Sequence, residues 1–426
     1  MTSPRTHQSA HHGPAPASHR PMGFAEFVAL VASLMALTAL ATDMMMPALP
    51  DIGAALGVAR DNDRQAVLTS FIIGFGVGQL FVGPLSDRFG RKPVLIGGLI
   101  VYGCASVLCI FAHSFEALLA ARAVSGLGAA SARVVIVAAV RDCYAGRRMA
   151  SVMSFAMMVF IAVPVLAPTI GQIVILFWPW QTIFALLAAA GLGTLIWGGL
   201  RLPETLRPAQ RRSIRPRQLA QAFAGLVTNR QTLGYTLAGG IMQGGMYAFL
   251  FSAQQVLGEY YRLGTYFPLA FAAAALTISL SSFINARLVG QLGMRIISHG
   301  ATATFLGLAV TMAALVWFGA LSFVPFMILL AAITFLIGLT FANFNALAME
   351  PQGAIAGTAS SFLGSMTTFL AVVIGGSVAY AYNGTLVPLT IGYLAVGTVA
   401  LLVLAVTERG RLFGHHRPPP SRPAAD

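Results

Sequence analysis

The chain has 426 residues, of which 57% are hydrophobic and only 9% are charged, and its formal net charge is +13. Soluble domains carry about 25% charged residues, so this composition excludes an ordinary soluble protein and predicts a helical integral membrane protein. The positive charge lies in short segments between apolar runs rather than on one amphipathic face, which argues against binding to nucleic acid.

The first 23 residues are polar and rich in His and Pro, which predicts a disordered tail. Twelve apolar runs follow, and a membrane-spanning helix needs about 20 such residues. They cover 24–47, 66–85, 94–112, 115–140, 149–176, 180–200, 232–257, 267–289, 299–320, 323–346, 357–382 and 386–406. Basic residues concentrate in the two tails and in alternate loops, so both termini are expected in the cytoplasm.

The basic segment 201–231 is the longest connection and divides the chain into residues 24–200 and 232–406, followed by a second tail, 407–426. A weak internal repeat supports this division, because Gly293 and Arg295 correspond to Gly90 and Lys92. The repeat is imperfect, since Gly290 replaces Asp87. Two pseudo-symmetric halves of six helices, with a binding site at their interface, are expected from such a duplication.

The connection between the second and third spans carries a dense charge pattern between apolar runs. Its spacing, G-x-x-x-D-R-x-G-R-K, is formed by Gly83, Asp87, Arg88, Gly90, Arg91 and Lys92. It resembles the signature loop of the major facilitator superfamily of transporters, which implies an all-α fold of twelve membrane helices. We expect these residues, with Arg141 and Asp142 after the fourth span, to form a cytoplasmic gate. An ordinary positively charged loop that only sets topology is the alternative.

Few ionisable residues fall inside the spans, and each is a functional candidate because a charge within a membrane is costly. They are Asp43 and Glu26 in the first span and Arg122 and Arg133 in the fourth. The two arginines are eleven residues apart and therefore share a helix face. We predict an Asp43–Arg122 pair facing a water-filled cavity and responding to protons, with Glu26 as the next candidate. The alternatives are a carboxylate that caps the turn 47–50 and arginines in static contacts.

Several local strings narrow the resemblance. Leu118, Arg122 and 125–128 resemble the superfamily's fourth-helix motif, whose arginine is implicated in proton coupling. Residues 162–171, with Pro164, Pro168 and Gly171, resemble the fifth-helix motif of antiporters, although Ala167 replaces its usual glycine. The strings 42–50, 141–144, 149–155 and 165–168 are similar to the Bcr/CflA branch of drug:proton antiporters.

This resemblance implies a transporter of the bacterial inner membrane, not an enzyme, that exports small amphipathic antibiotics such as chloramphenicol, florfenicol or bicyclomycin in exchange for protons. Its partners would be drug, protons and the lipid bilayer; it would be monomeric and need no cofactor besides the proton gradient. The Cys and His residues show no metal-binding spacing. A transporter of a sugar or amino acid, or a membrane protein that transports nothing, remains the alternative. Polar, aromatic and Met residues expected to line an adaptable pocket are Met46, Gln172, Gln243, Tyr247, Asn343 and Asn345.

Overall fold

A computed structural model describes residues 22–144, 146–211 and 216–413. Regular structure within these ranges is entirely helical, as the composition predicts. The predicted N-terminal tail as far as residue 21, and the predicted C-terminal tail from residue 414 onward, lie outside the described residues.

Within the described ranges, twelve long helices form the body of the protein, and each overlaps one predicted span. They are α1 Phe24–Asp43, α2 Ala66–Phe89, α3 Arg91–Ile110, α4 Phe115–Cys143, α5 Gly146–Phe177, α6 Gln181–Arg201, α7 Arg230–Ala253, α8 Phe267–Leu292, α9 Met294–Trp317, α10 Phe323–Met349, α11 Ala356–Tyr380 and α12 Val387–Thr407. Ten helical stretches of the described chain are long and apolar enough to cross a membrane, and α5 adds a shorter apolar stretch, Ala162–Phe177. The predicted all-helical membrane fold is confirmed.

The helix ends predicted to face the cytoplasm are called inner here, and the opposite ends outer. At the inner side, the loop predicted over 83–93 is wrong in extent, because α2 continues to Phe89 and α3 begins at Arg91. Gly90 alone joins them, with a φ of +106°. This backbone conformation strongly favours glycine, which lacks a Cβ. The chain therefore reverses its direction within one residue.

Shorter helices occupy the longer connections. On the outer side, α1 is followed by a 3₁₀ turn at Met46–Ala48, a helix at Leu49–Ala55 and a second 3₁₀ turn at Asp61–Gln65. Helix α7 ends in a π-helical turn, Gln254–Tyr260, a geometry that often marks functional sites. The basic linker contains a helix, Pro216–Thr228.

The two sets of six helices pack by the same scheme. Helix α2 packs on α4 and α3 on α6 in the first set, as α8 packs on α10 and α9 on α12 in the second. Helices α1 and α5 are matched in the same way by α7 and α11. The sets meet where α2 contacts α11 and where α5 contacts α8. This pairing puts the space between the halves at the centre of the bundle, where a duplicated transporter binds its ligand.

Glycine lets the helices approach closely at selected points. A Cβ at Gly126 of α4 would collide with the backbone carbonyl of Phe71 on α2, and one at Gly74 would collide with that of Ala123. The outward faces of the bundle instead carry large apolar side chains with high exposure, such as Leu108, Phe177 and Trp317. Contiguous apolar surface of this kind suits lipid rather than water.

Candidate transport cavity

A cavity of about 610 Å³ lies between the two halves. Helices α1, α2, α4 and α5 form one wall, and α7, α8, α10 and α11 form the other. Ionisable side chains in the wall are Asp43, Arg133, Tyr235 and Tyr247. The wall also has Met and Phe side chains, namely Met35, Met153, Met246, Phe75, Phe249, Phe271, Phe341 and Phe344. A large apolar cavity with a few polar groups is the usual form of a small-molecule site.

Asp43 is the last residue of α1 and faces the cavity while remaining only 3% exposed. The Thr42 hydroxyl donates a hydrogen bond of 2.8 Å to its Oδ1 atom. Among the described residues, this bond to the carboxylate does not come from the turn 47–50, so the structure does not show Asp43 capping that turn. The carboxyl group is thus placed where a ligand in the cavity could contact it.

Arg122 is buried away from the cavity wall, and the predicted pair with Asp43 is not formed. Its Nε donates to the carbonyl oxygen of Val67 at 3.1 Å and its Nη2 to that of Ala41 at 2.9 Å. The guanidinium also lies 4.4 Å from the centre of the Phe71 ring. Because the group reaches backbone acceptors on both α1 and α2, it clamps α4 to these two helices.

Arg133 reaches the cavity instead. It shares a face of α4 with Arg122, as the eleven-residue spacing predicts. The outer part of that face is covered by α1 and α2, whereas the inner part opens between the halves. Tyr247 lines the opposite wall. The cavity therefore contains a carboxyl group, a guanidinium group and a phenol group.

Glu26 does not belong to the cavity. It lies at the inner end of α1, where Arg201 donates to its two carboxylate oxygens at 2.7 and 2.8 Å. The indole Nε1 of Trp197 donates to it at 3.4 Å. The group is thus held in an ion pair with α6 near the inner boundary, and its role as the next candidate for proton coupling stays a prediction.

The predicted pocket residues divide into two sets. Gln243, Tyr247 and Asn345 line the cavity, and Pro164 of the fifth-helix motif does so as well. The residues that the structure places elsewhere are Met46, Gln172 and Asn343.

The position of each of these three residues in its own helix or turn explains why it does not line the cavity. Met46 is fully buried in the turn after α1, and Gln172 lies near the outer end of α5, outside the cavity wall. Asn343 donates to Asn285 Oδ1 at 2.8 Å and to the Leu339 carbonyl at 2.8 Å, so it joins α10 to α8.

Three residues of the fifth-helix motif shape α5 or its packing. Gly171 allows α5 to touch the backbone of Met44, because a Cβ there would collide with that carbonyl oxygen. Pro164 and Pro168 both lie inside the helix, where each removes a backbone donor. The motif thus brings α5 against the end of α1, next to Asp43.

The cavity wall also contains residues that the sequence reasoning missed. Gln79 of α2 donates to the hydroxyl of Thr368 on α11 at 3.4 Å, and Ser365 donates to the Gly76 carbonyl at 2.7 Å. Both contacts join the two halves. An amide side chain within the apolar run 66–85, which has no charged residue, is the signal that could have identified Gln79.

At the inner side, Arg91 organises an ionic cluster, which we define as Asp87, Arg91, Asp142 and Glu204. Arg91 is only 3% exposed, and it pairs with Asp87 at 2.6 Å and with Asp142 at 2.9 Å. Its backbone N–H donates to Glu204 at 2.9 Å, and the N–H of Lys92 donates to the same carboxylate at 3.3 Å. Glu204 therefore caps the start of α3, a role that sequence reasoning did not assign to it.

The remaining predicted gate residues surround this cluster. A Cβ added to Gly357, at the start of α11, would lie 3.9 Å from both Asp87 Oδ2 and Arg141 Nη2. Gly83 lets α2 approach Ser361 of α11, and Arg88 lies exposed against the Phe89 ring. Asp87 thus lies close to the start of α11. The inner cluster thus borders the contact between the two halves.

At the outer side, Asn62 joins the halves through its side chain. Its Nδ2 donates to the carbonyl oxygens of Tyr380 at 2.9 Å and Tyr382 at 2.6 Å, at the end of α11. Its Oδ1 accepts from Gln255 in the π-helical turn at 2.7 Å. We call this set the outer junction. Three hydrogen bonds from one residue therefore connect the α1–α2 segment to two elements of the second half.

Ionic contacts strengthen the outer junction. Arg64, 8% exposed, pairs with Glu259 of the second half at 3.0 Å and with Asp61 at 3.2 Å. The guanidinium of Arg60 lies 5.2 Å from the centre of the Tyr380 ring. In the structure, the outer ends of the halves are thus joined above the cavity.

Comparisons with known proteins agree with this architecture. The family profile described as Major Facilitator Superfamily matches residues 31–376. The "Bicyclomycin resistance protein homolog" of Haemophilus influenzae is 30% identical over 369 residues, which cover 85% of this chain and 91% of that protein. "Multidrug resistance protein MdtL" of Escherichia coli is 35% identical over 181 residues, 42% of this chain and 46% of that protein.

Solved structures show the same fold at low sequence identity. The xylose transporter XylE of E. coli, in a partially occluded inward-open conformation, has a TM-score of 0.68 at 13% identity, covering 89% of this chain and 97% of that one. The human organic anion transporter MFSD10 (TETRAN) has a TM-score of 0.63 at 17% identity, covering 90% and 100%. The family profile covers most of the chain, and the Haemophilus influenzae relative is 30% identical over 85% of it. The chain therefore belongs to the Major Facilitator Superfamily, in agreement with its fold. The names of its relatives are consistent with the Bcr/CflA type.

Proposed function

We propose that this transporter is a proton-coupled exporter of small amphipathic antimicrobials, located in the bacterial inner membrane with both termini in the cytoplasm. The observation that carries the proposal is the central cavity, which is lined by the buried Asp43, by Arg133 and Tyr247, and by Phe and Met side chains. Mobile Met side chains and aromatic rings accommodate varied apolar molecules. The names of the bicyclomycin-resistance and multidrug-resistance relatives support the same substrate class.

Exchange follows from the cost of an unpaired charge. An ionised carboxylate sealed in a membrane-embedded cavity costs several kcal/mol unless it is paired or hydrated. The halves can therefore close over an empty cavity when Asp43 carries a proton, or over an ionised Asp43 when a drug supplies a hydrogen-bond donor or positive charge. One group thus binds either a proton or a drug. Alternation between these states moves the two ligands in opposite directions.

The test combines resistance with exchange. Cells that lack their own pumps should gain resistance to bicyclomycin, chloramphenicol or florfenicol when they express the chain, and purified protein should release protons when drug is added. Asp43→Asn should abolish proton release and accumulation of drug against a gradient. Asp51→Asn, an exposed carboxylate on the outer helix Leu49–Ala55, is the matched control and should retain both activities.

The opposite result would identify another coupling group. If Asp43→Asn still releases protons and concentrates drug, coupling does not depend on Asp43. Comparison with Glu26→Gln would then show whether the Glu26–Arg201 pair takes part.

An amino-acid transporter is the second candidate, because the cavity contains one carboxyl and one guanidinium group. Such a pair could hold the ammonium and carboxylate groups of a zwitterion. Uptake of labelled amino acids into the same vesicles, without drug resistance in cells, would favour this candidate over the exporter.

A further inference from the structure

A second group of buried and partly buried ionisable residues lies at the inner end of the second half, outside the inner ionic cluster. It comprises Tyr235 of α7, Arg295 and His299 of α9, and Glu408 after α12. Together with Phe413, whose backbone N–H bonds to His299, we call it the C-half cluster. Tyr235 and His299 are both fully buried. Tyr235 also lines the central cavity, so the cluster extends from the cavity to the C-terminal segment.

The hydrogen bonds of this cluster allow only one proton arrangement. The backbone N–H of Phe413 donates to His299 Nδ1 at 3.2 Å, so Nδ1 carries no proton. The imidazole proton is then on Nε2, which lies 3.2 Å from the Tyr235 hydroxyl oxygen. The Tyr235 hydroxyl in turn donates to Glu408 at 2.5 Å. These three donors, the Phe413 N–H, the His299 Nε2–H and the Tyr235 hydroxyl, thus all have an acceptor when His299 is neutral.

Protonation of His299 disrupts this arrangement at one point. An added proton on Nδ1 faces the N–H of Phe413, and a backbone N–H cannot accept a hydrogen bond. The contact must therefore break. Phe413 has a φ of +68°, a conformation uncommon for any residue except glycine, and it regains backbone freedom when released.

Among the described residues, the charged members of the cluster around His299 are Glu408 and Arg295. Arg295 Nε pairs with Glu408 at 3.2 Å and donates to the Tyr235 hydroxyl at 3.4 Å. Next to His299 on α9, Ile297 and Ala301 belong to a separate apolar cluster between α9, α8 and α10. The other members of this cluster are Leu288 and Val289 of α8 and Phe335, Leu336 and Leu339 of α10. The neutral ring is thus held by Tyr235 on one side and by the C-terminal segment on the other.

We propose that His299 is a second protonation site of this transporter, and that its protonation releases the segment 411–413 from the inner end of the second half. The segment is then seated at high cytoplasmic pH and free at low pH. Because Tyr235 is shared with the cavity wall, the site also connects the state of the C-terminal segment to the cavity. The proposal does not depend on the identity of the transported molecule or on coupling through Asp43.

The test uses the full-length protein with a spin label on Arg411→Cys, an exposed position, after replacement of the native cysteines by serine. Between pH 8 and pH 5 the ratio of mobile to immobile label should rise by up to about tenfold per pH unit, as expected for uptake of one proton. His299→Gln should abolish this change, since its amide can accept from Phe413 and donate to Tyr235 without titrating. His113→Gln, an exposed histidine between α3 and α4, is the matched control and should retain it.

Two results would overturn the proposal. One is a label mobility that does not change with pH in the parent protein, and the other is an unchanged pH response in His299→Gln. Hydrogen exchange at the Phe413 amide provides a measurement without any substitution. Protection at pH 8 that is lost at pH 5, after correction for the intrinsic exchange rate, is the expected outcome.

Discussion

Asn62→Ala is expected to open the outer side of the transporter. The Asn62 side chain makes three hydrogen bonds to the second half, with the Tyr380 and Tyr382 carbonyls and with Gln255. All three must break when the outer ends separate. Alanine removes them only from the closed state, because in the open state the asparagine is bonded to water instead.

The expected change in the population of the outward-open state follows from these three hydrogen bonds. A hydrogen bond contributes about 1 kcal/mol net when water competes for its partners. Three bonds therefore favour the joined state by about 3 kcal/mol, and since about 1.4 kcal/mol corresponds to a factor of ten, their loss should raise the population of the outward-open state roughly 100-fold. The Arg64–Glu259 pair remains and keeps part of the closed population.

Labelling from outside the cell measures this population. A cysteine replaces Ala275, which lines the cavity on α8, in a chain whose native cysteines are replaced by serine. A membrane-impermeant maleimide should label it much faster in Asn62→Ala than in the parent. Asn383→Ala is the matched control, since the Asn383 side chain accepts only from Thr385 of its own loop.

Equal labelling rates in Asn62→Ala and the parent would refute the role of Asn62 in closing the outer side. Faster labelling in Asn383→Ala as well would show that general loosening of the outer surface, rather than the outer junction, controls access.

Other outcomes follow from the same contacts. The Arg91→Ala variant should insert into the membrane normally but transport more slowly, because the substitution removes both ion pairs of the inner cluster. An unchanged transport rate would mean that the motif only sets the membrane topology. Arg122→Lys should lower the thermal unfolding midpoint, since an ammonium cannot reproduce the guanidinium's two directed bonds and its ring contact. A change in pH dependence alone, with the midpoint unaltered, would contradict this clamp. Gly126→Ala should destabilise the protein by about 1–3 kcal/mol through collision with α2, whereas Gly97→Ala, with open space around it, should be neutral in thermal unfolding. A reporter fused to the C-terminus should be active only in the cytoplasm.

The sequence was sufficient to predict the membrane helices and their division into six and six. Hydropathy is a local property, because each span must be apolar over its own length to cross the lipid. The inner signature could also be recognised from the sequence, because its residues are close together in the chain; Asp87 and Arg91, four positions apart on either side of the turn at Gly90, pair at 2.6 Å. The length of this connection was not predicted correctly from the sequence, since the structure has a single residue, Gly90, between α2 and α3.

Contacts between residues that are far apart in the chain could not be predicted from the sequence. Arg122 and Arg133 share a face of α4, but the packing of α1 and α2 covers one and leaves the other in the cavity. Asn62 bonds to residues about 320 positions away, and the C-half cluster joins α7, α9 and the chain's end. No local pattern encodes such partners. They are decided when the helices pack, since a polar group in the bundle bonds to whichever acceptor the neighbouring helix brings within reach.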